Sequence, residues 1–198
     1  DGIRPWEGKS SAKALLVAID DLGKARPAIM EWPSPGPQHG IVVPLGAQRW
    51  LTSVPNAAYV RGDDRKASSR PDGFEIQQQE KGAWRRLASF NDPAKPDASC
   101  KLYHGHAAVG GRHVFGCAEG EGGGMLVLSQ DKGRFSARKL AYPDERRISA
   151  IKARAGAKFM VANYGKAAPY DALLRVDPAA QSLSASDVLP VPGGQPAC

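Results

Sequence analysis

Apolar and polar residues alternate along this chain in short runs broken by turn residues, and the same outline returns four times. Ala14-Leu15-Leu16-Val17-Ala18-Ile19-Asp20, a turn at Asp21 to Lys24 and then Ala25 to Trp32 read as strand, turn, strand. The unit returns at Phe74 to Gln79 and Ala83 to Phe90 around Glu80-Lys81-Gly82. It returns again at Met125 to Gln130 and Arg134 to Ala141 around Asp131-Lys132-Gly133. A looser copy runs from Leu173 to Asp177 and from Gln181 to Leu189 around Pro178-Ala179-Ala180. Acid, lysine and glycine at the turn suit the left-handed backbone of a tight hairpin loop.

A second type of segment lies between these hairpins, at His39 to Val54, Cys100 to Cys117 and Ile148 to Ala162. Each predicts a strand, a glycine turn and another apolar strand, and the first two contain His-Gly, at His39-Gly40 and His104-Gly105. Two alternating hairpins make four strands per unit. The turn glycines at 23, 82 and 133 are 59 and 51 residues apart, and the next turn follows about 46 on. Four strands over roughly 40–50 residues is the period of a β-propeller blade. A polar insertion from Pro55 to Gly73 accounts for the longer first interval. The pattern therefore predicts an all-β, WD40-like propeller in one domain over residues 1–198, with about four blades present. A β-sandwich is the structural alternative, because it too strings short strands on regular turns.

Composition agrees with short strands: 22 glycines and 16 prolines stand against an aromatic content of 7%. No run approaches the 18 or so apolar residues of a membrane span, so no membrane insertion is expected. The formal charge of +7 comes from scattered lysines and arginines, without a basic helix or a nucleic-acid motif, and no nucleic-acid partner is expected. The opening residues do not form a signal peptide. The chain reads as a mature exported protein whose signal has been removed, or as a fragment. Gln195-Pro196-Ala197-Cys198 echoes Asp97-Ala98-Ser99-Cys100. That echo predicts a chain cut mid-repeat, about half of a larger propeller, with Cys198 parted from its partner; a genuine free cysteine at the end is the alternative.

Candidate chemistry concentrates between Cys100 and Cys117, which holds three of the four histidines and two of the three cysteines. Paired strands would bring the two cysteines side by side, and a bridge there contributes roughly 3 kcal/mol on the chain-entropy model. Thiolate ligation of zinc is the competing reading, but the chain has no Cys-x-x-Cys, and a disulfide is preferred. His104 and His106, two apart on a strand, are expected on one face about 6–7 Å apart, close enough to converge on one metal ion. His39 is expected to join them from the equivalent segment one blade earlier. Glu119 or Glu121 is expected to complete the shell, and His113, beside Arg112, is expected to be a surface side chain.

Other motifs weigh less. Gly120 to Gly124 lacks the ending of a phosphate loop and reads as a flexible connection. Asp63, Asp64 and Asp72 lack calcium-loop spacing. There is no Gly-x-Ser-x-Gly elbow, and no enzyme activity is expected.

Cys100, His104-Gly105 and Val114-Phe115-Gly116-Cys117, together with Ser53-Val54-Pro55-Asn56 and the polar insertion, resemble the periplasmic zinc metallochaperones of the AztD type. The resemblance covers roughly residues 39 to 130. It implies a secreted propeller that carries zinc to the solute-binding protein of a zinc ABC transporter, a periplasmic location and an intramolecular disulfide. The chain departs from that family in being about half the expected length and in lacking a histidine-rich amino-terminal tract. A metal-free binding platform and a metal-dependent propeller hydrolase or lactonase are the alternatives.

Overall fold

A computed structural model describes residues 12–46, 48–62, 64, 66–117 and 123–191. Among them the chain forms fourteen strands, one short α-helix and three single turns of 3-10 helix. No described helix is long and apolar enough to cross a membrane. Three four-stranded antiparallel sheets and one two-stranded sheet account for all the strands. In each four-stranded sheet the strands lie side by side in chain order, which is the arrangement of a propeller blade. The fold is that of a partial β-propeller. The expected four units resolve into three complete blades and one hairpin. Each blade combines one segment of the second type with the hairpin that follows it. The chain divides into two compact units, residues 1–71 with 75–87, and residues 72–74 with 88–198.

In the first unit, β1 (Lys13–Val17) pairs with β2 (Ile29–Pro33), from Lys13 opposite Pro33 to Val17 opposite Ile29. The strands are shorter than the alternation suggests. Asp21 organises a wider turn: one carboxylate oxygen accepts from the Lys24 ammonium and the other from the Ala28 amide. Pro27, with no N–H to give a ladder, holds the second strand back to Ile29. Next come β3 (Val42–Gly46), β4 (Arg49–Ser53), β5 (Phe74–Glu80) and β6 (Ala83–Phe90), in the order β3-β4-β5-β6. Pro44 is tolerated because β3 is an edge strand. The insertion after β4 contains α1 (Ala57–Arg61). The Asn56 side chain caps it by accepting from the Tyr59 amide at 3.0 Å, and Gly62 ends it at φ 73°.

The second unit holds two blades. The first runs β10-β9-β8-β7, with β7 at His104–Val109, β8 at Arg112–Cys117, β9 at Gly124–Asp131 and β10 at Arg134–Leu140. The second runs β11-β12-β13-β14, with β11 at Arg147–Lys152, β12 at Met160–Gly165, β13 at Ala172–Val176 and β14 at Val188–Pro190. The expected two-residue turns are present: Lys132 and Gly133 have φ of 45° and 82°, and both central residues of the β7–β8 turn are glycines with positive φ. Both central residues of such a turn need a positive φ if the strands are to keep their right-handed twist. The two blades share a core in which Val114 and Val127 pack with Ile151, Met160 and Leu174. The run Met125-Leu126-Val127-Leu128 is buried at both parities, 0–1% exposed throughout, so β9 is covered on both faces.

Candidate metal centre

The histidine-bearing hairpin, β7 and β8, is fixed at its open end by a disulfide. Cys100 and Cys117 are bonded with their Cα atoms 5.1 Å apart, and both are buried. The bridge excludes the competing reading of these sulfurs as thiolate ligands. Beside it, Phe74 lies 3.9 Å from Phe115 between ring centroids, and Tyr103 meets Phe74 edge-on at 5.1 Å. The Tyr142 hydroxyl donates to the Cys117 carbonyl at 3.1 Å.

Within this frame the two-apart rule fails at Gly105. His104 pairs with Gly116 and His106 with Phe115, so two steps along β7 match one step along β8. The extra residue is a β-bulge, and Gly105 has φ 83°. Neighbouring residues of β8 point to opposite faces, and residues opposite each other share a face. His104 therefore lies on the face of Gly116 and His106 on the face of Phe115. The expectation that both imidazoles converge from one face is corrected: the bulge turns them away from each other.

His104 faces β11. Its Nδ1 lies 2.5 Å from the Ser149 carbonyl oxygen and 3.1 Å from the Ser149 hydroxyl. A carbonyl can only accept, so Nδ1 carries a proton, and in the neutral ring the lone pair is then on Nε2. Histidines that hold metals have this arrangement, with the remote nitrogen anchored on a backbone carbonyl. The anchor is itself held. The pairing of β11 with β12 shifts between Ile148 and Ile151. Asn163 Oδ1 accepts from the Ser149 and Ala150 amides there, at 2.8 and 2.7 Å. Asn163 is one of the few buried polar residues.

His106 instead meets His113. Its Nε2 lies 3.1 Å from His113 Nδ1, the rings are 10° from parallel, and His106 stacks on Phe115 with centroids 4.8 Å apart. Burial, aided by the neighbouring imidazole, pulls His106 down to about 4, and burial also lowers His113. Both rings are half-buried and neutral near pH 7. His113, expected at the surface, is thus the direct partner of His106.

His39 lies in the first unit, and its amide donates to the Ser69 carbonyl at 2.7 Å. The two His-Gly pairs differ in backbone. Gly105 is a bulge inside β7 with positive φ, whereas Gly40 precedes β3 and lacks that conformation. Glu119, Glu121 and Cys198 lie outside the described residues. Among the described residues no three or more His, Cys, Asp or Glu side chains are grouped to hold a metal ion. Sequence reasoning missed Ser149 and Asn163. Nothing local marks them, because a fold contact 45 residues long brings Ser149 to His104.

Repeated four-stranded meanders, with a stapled hairpin opening the central one, define the class as β-propeller. More narrowly, the chain has an AztD-type fold. It is similar to the structure of apo AztD from Citrobacter koseri, at 24% identity and a TM-score of 0.62 over 85% of this chain and 40% of that one. A crystal structure of Citrobacter koseri AztD also matches, at 25% identity and a TM-score of 0.62, over 85% of this chain and 39% of that one. The chain thus spans well under half the length of the solved proteins it matches. No family model and no curated protein matches the sequence.

Proposed function

We propose that this protein is a periplasmic zinc chaperone of the AztD type, taking up zinc and passing it to the solute-binding protein of a zinc ABC transporter. The AztD-type fold supports the class, and the disulfide suits an oxidising compartment. The observation that carries the metal assignment is the His104 ring, held in place through Nδ1 on the Ser149 carbonyl. His104 Nε2 is the proposed anchoring ligand, and Glu119, close in sequence, is the proposed carboxylate donor.

Transfer follows from ligand exchange. A neutral imidazole binds zinc at about 2.0–2.1 Å without leaving a buried charge when the ion departs. An incomplete protein shell leaves coordination positions that an acceptor's ligands occupy before the chaperone releases its own. The Ser149 anchor keeps the ring oriented in both states, so capture does not require the side chain to be ordered anew. Equilibrium zinc titration tests the reading. His104→Ala is expected to weaken binding at its site at least tenfold, within the range for loss of a ligand or its orienting partner. Unchanged affinity and stoichiometry in that variant contradict it. Transfer to a zinc-free solute-binding protein, followed by its zinc content after separation, tests the partner.

A further inference from the structure

The geometry points to a second metal site, formed by His106 Nε2 and His113 Nδ1 on the Phe115 face of the β7–β8 hairpin, for a late first-row divalent cation such as zinc. This inference does not rest on the chaperone reading, because it uses neither His104 nor the likeness to AztD.

The pair is diagonal across the two strands. His106 stands opposite Phe115, and His113 stands opposite Ala108. Diagonal neighbours on one face are within reach of long and aromatic side chains. The bulge at Gly105 creates the pair, since without it His106 would take the other parity and the rings would be separated by the sheet. The two nitrogens are 3.1 Å apart. Two imidazole nitrogens bound tetrahedrally to one zinc at 2.0–2.1 Å stand about 3.3 Å apart. The spacing therefore changes by only a few tenths of an ångström, with the ring planes turning to aim both lone pairs at the ion.

Proton balance is simple. In the metal-free pair one nitrogen donates its N–H to the lone pair of the other. On binding, that proton moves to the remote nitrogen of the same ring, both facing nitrogens become ligands, and the rings lose no proton. Leu128 stands opposite His113 across β9, and Leu126 opposite Phe115. Both leucines are buried, giving the site an apolar floor without a carboxylate from that strand. Water or a small anion fills the remaining positions. Nitrogen ligands of this kind suit zinc, copper and nickel rather than calcium or magnesium.

The test is a titration of the whole protein with zinc alone, followed through the ring nitrogen resonances of its histidines. His106 and His113 are expected to shift together with one saturating ion, and to do so equally in His104→Ala. His113→Ala, and the more conservative His113→Asn, are expected to weaken this step at least tenfold while leaving the His104 ring response intact. His113 signals that stay unmoved in wild type under saturating zinc would overturn the inference, whatever the variants do. Shifts at His104 alone would overturn it while sparing the chaperone reading. Shifts at His106 and His113 alone would do the reverse.

Discussion

A Cβ atom built on Gly105 would lie 2.7 Å from the carbonyl oxygen of Ser149, closer than such atoms approach in folded proteins. That carbonyl is the oxygen on which His104 is anchored. The bulge, the close approach of β11 and the orientation of the imidazole are thus one feature. Gly105→Ala meets both this contact and a φ of 83°, and backbone of that kind costs a non-glycine residue about 1–3 kcal/mol before the contact is counted. Gly110→Ala, at φ 56° with open space around its Cβ position, serves as the control. Chemical denaturation is expected to show a loss of about 2–4 kcal/mol for the first and about 1 kcal/mol for the second.

Removing the Asn163 amide leaves two backbone N–H groups at the β11 irregularity without the oxygen they donate to. Each unsatisfied buried group costs about 1–3 kcal/mol. Asn163→Ala is expected to lower stability by about 2–4 kcal/mol. It is also expected to weaken the His104 zinc step, although Asn163 touches no metal. Asn163→Asp, which keeps the accepting oxygen, is expected to restore most of the zinc response. Denaturation and zinc titration of the three proteins check this.

The Cys100–Cys117 bridge closes a loop of sequence separation 17. On the chain-entropy model, loops near that length contribute about 3 kcal/mol. The Cys100→Ala, Cys117→Ala double variant is expected to lose about that much in a denaturant titration. In a Cys198→Ser background, denatured protein is expected to show no titratable thiol before reduction and two after it.

Asp144 accepts from Arg146 Nη2 at 2.7 Å and from the Tyr164 hydroxyl at 3.0 Å, and the Arg146 guanidinium lies 4.6 Å above the Tyr164 ring. The hydrogen bond from Arg146, supported by that from Tyr164, holds the Asp144 carboxyl well below the usual carboxylate range. A carboxyl depressed in the folded state adds stability above its unfolded value near 4, and loses it as pH falls further toward the folded value. The Asp144 side chain is 41% exposed, so water screens the pair and the contribution is about 1 kcal/mol or less. Asp144→Asn is expected to be less stable than wild type at pH 7, with the difference shrinking below about pH 4. A difference that grows on acidification would contradict the assignment.

Much of this fold is legible in the sequence because tight hairpins write their requirements locally. Asp131-Lys132-Gly133 marks a two-residue turn by its acid, lysine and glycine, and the structure places it between β9 and β10. The cysteines mark the ends of the β7–β8 hairpin, and their bridge is present. The parity of His104 and His106 is a different matter. Alternation assigns faces only while pairing is regular, and one inserted residue reverses everything beyond it. Gly105 was the available sign, since glycine inside a strand often marks a bulge. His113 was hidden for the same reason, its partner being set by the bulged register. Ser149 and Asn163 come from the following blade, where no periodicity links them to the histidines.

In the two proposed sites, His104 and His106 serve opposite faces of the sheet and therefore different ions. Zinc stoichiometry at saturation, measured on wild type, His104→Ala, His106→Ala and the double variant, tests this most directly. The prediction is that each single variant loses a different ion and that the two losses add in the double variant. Loss of the same single ion in both variants, with nothing further lost in the double, would contradict it.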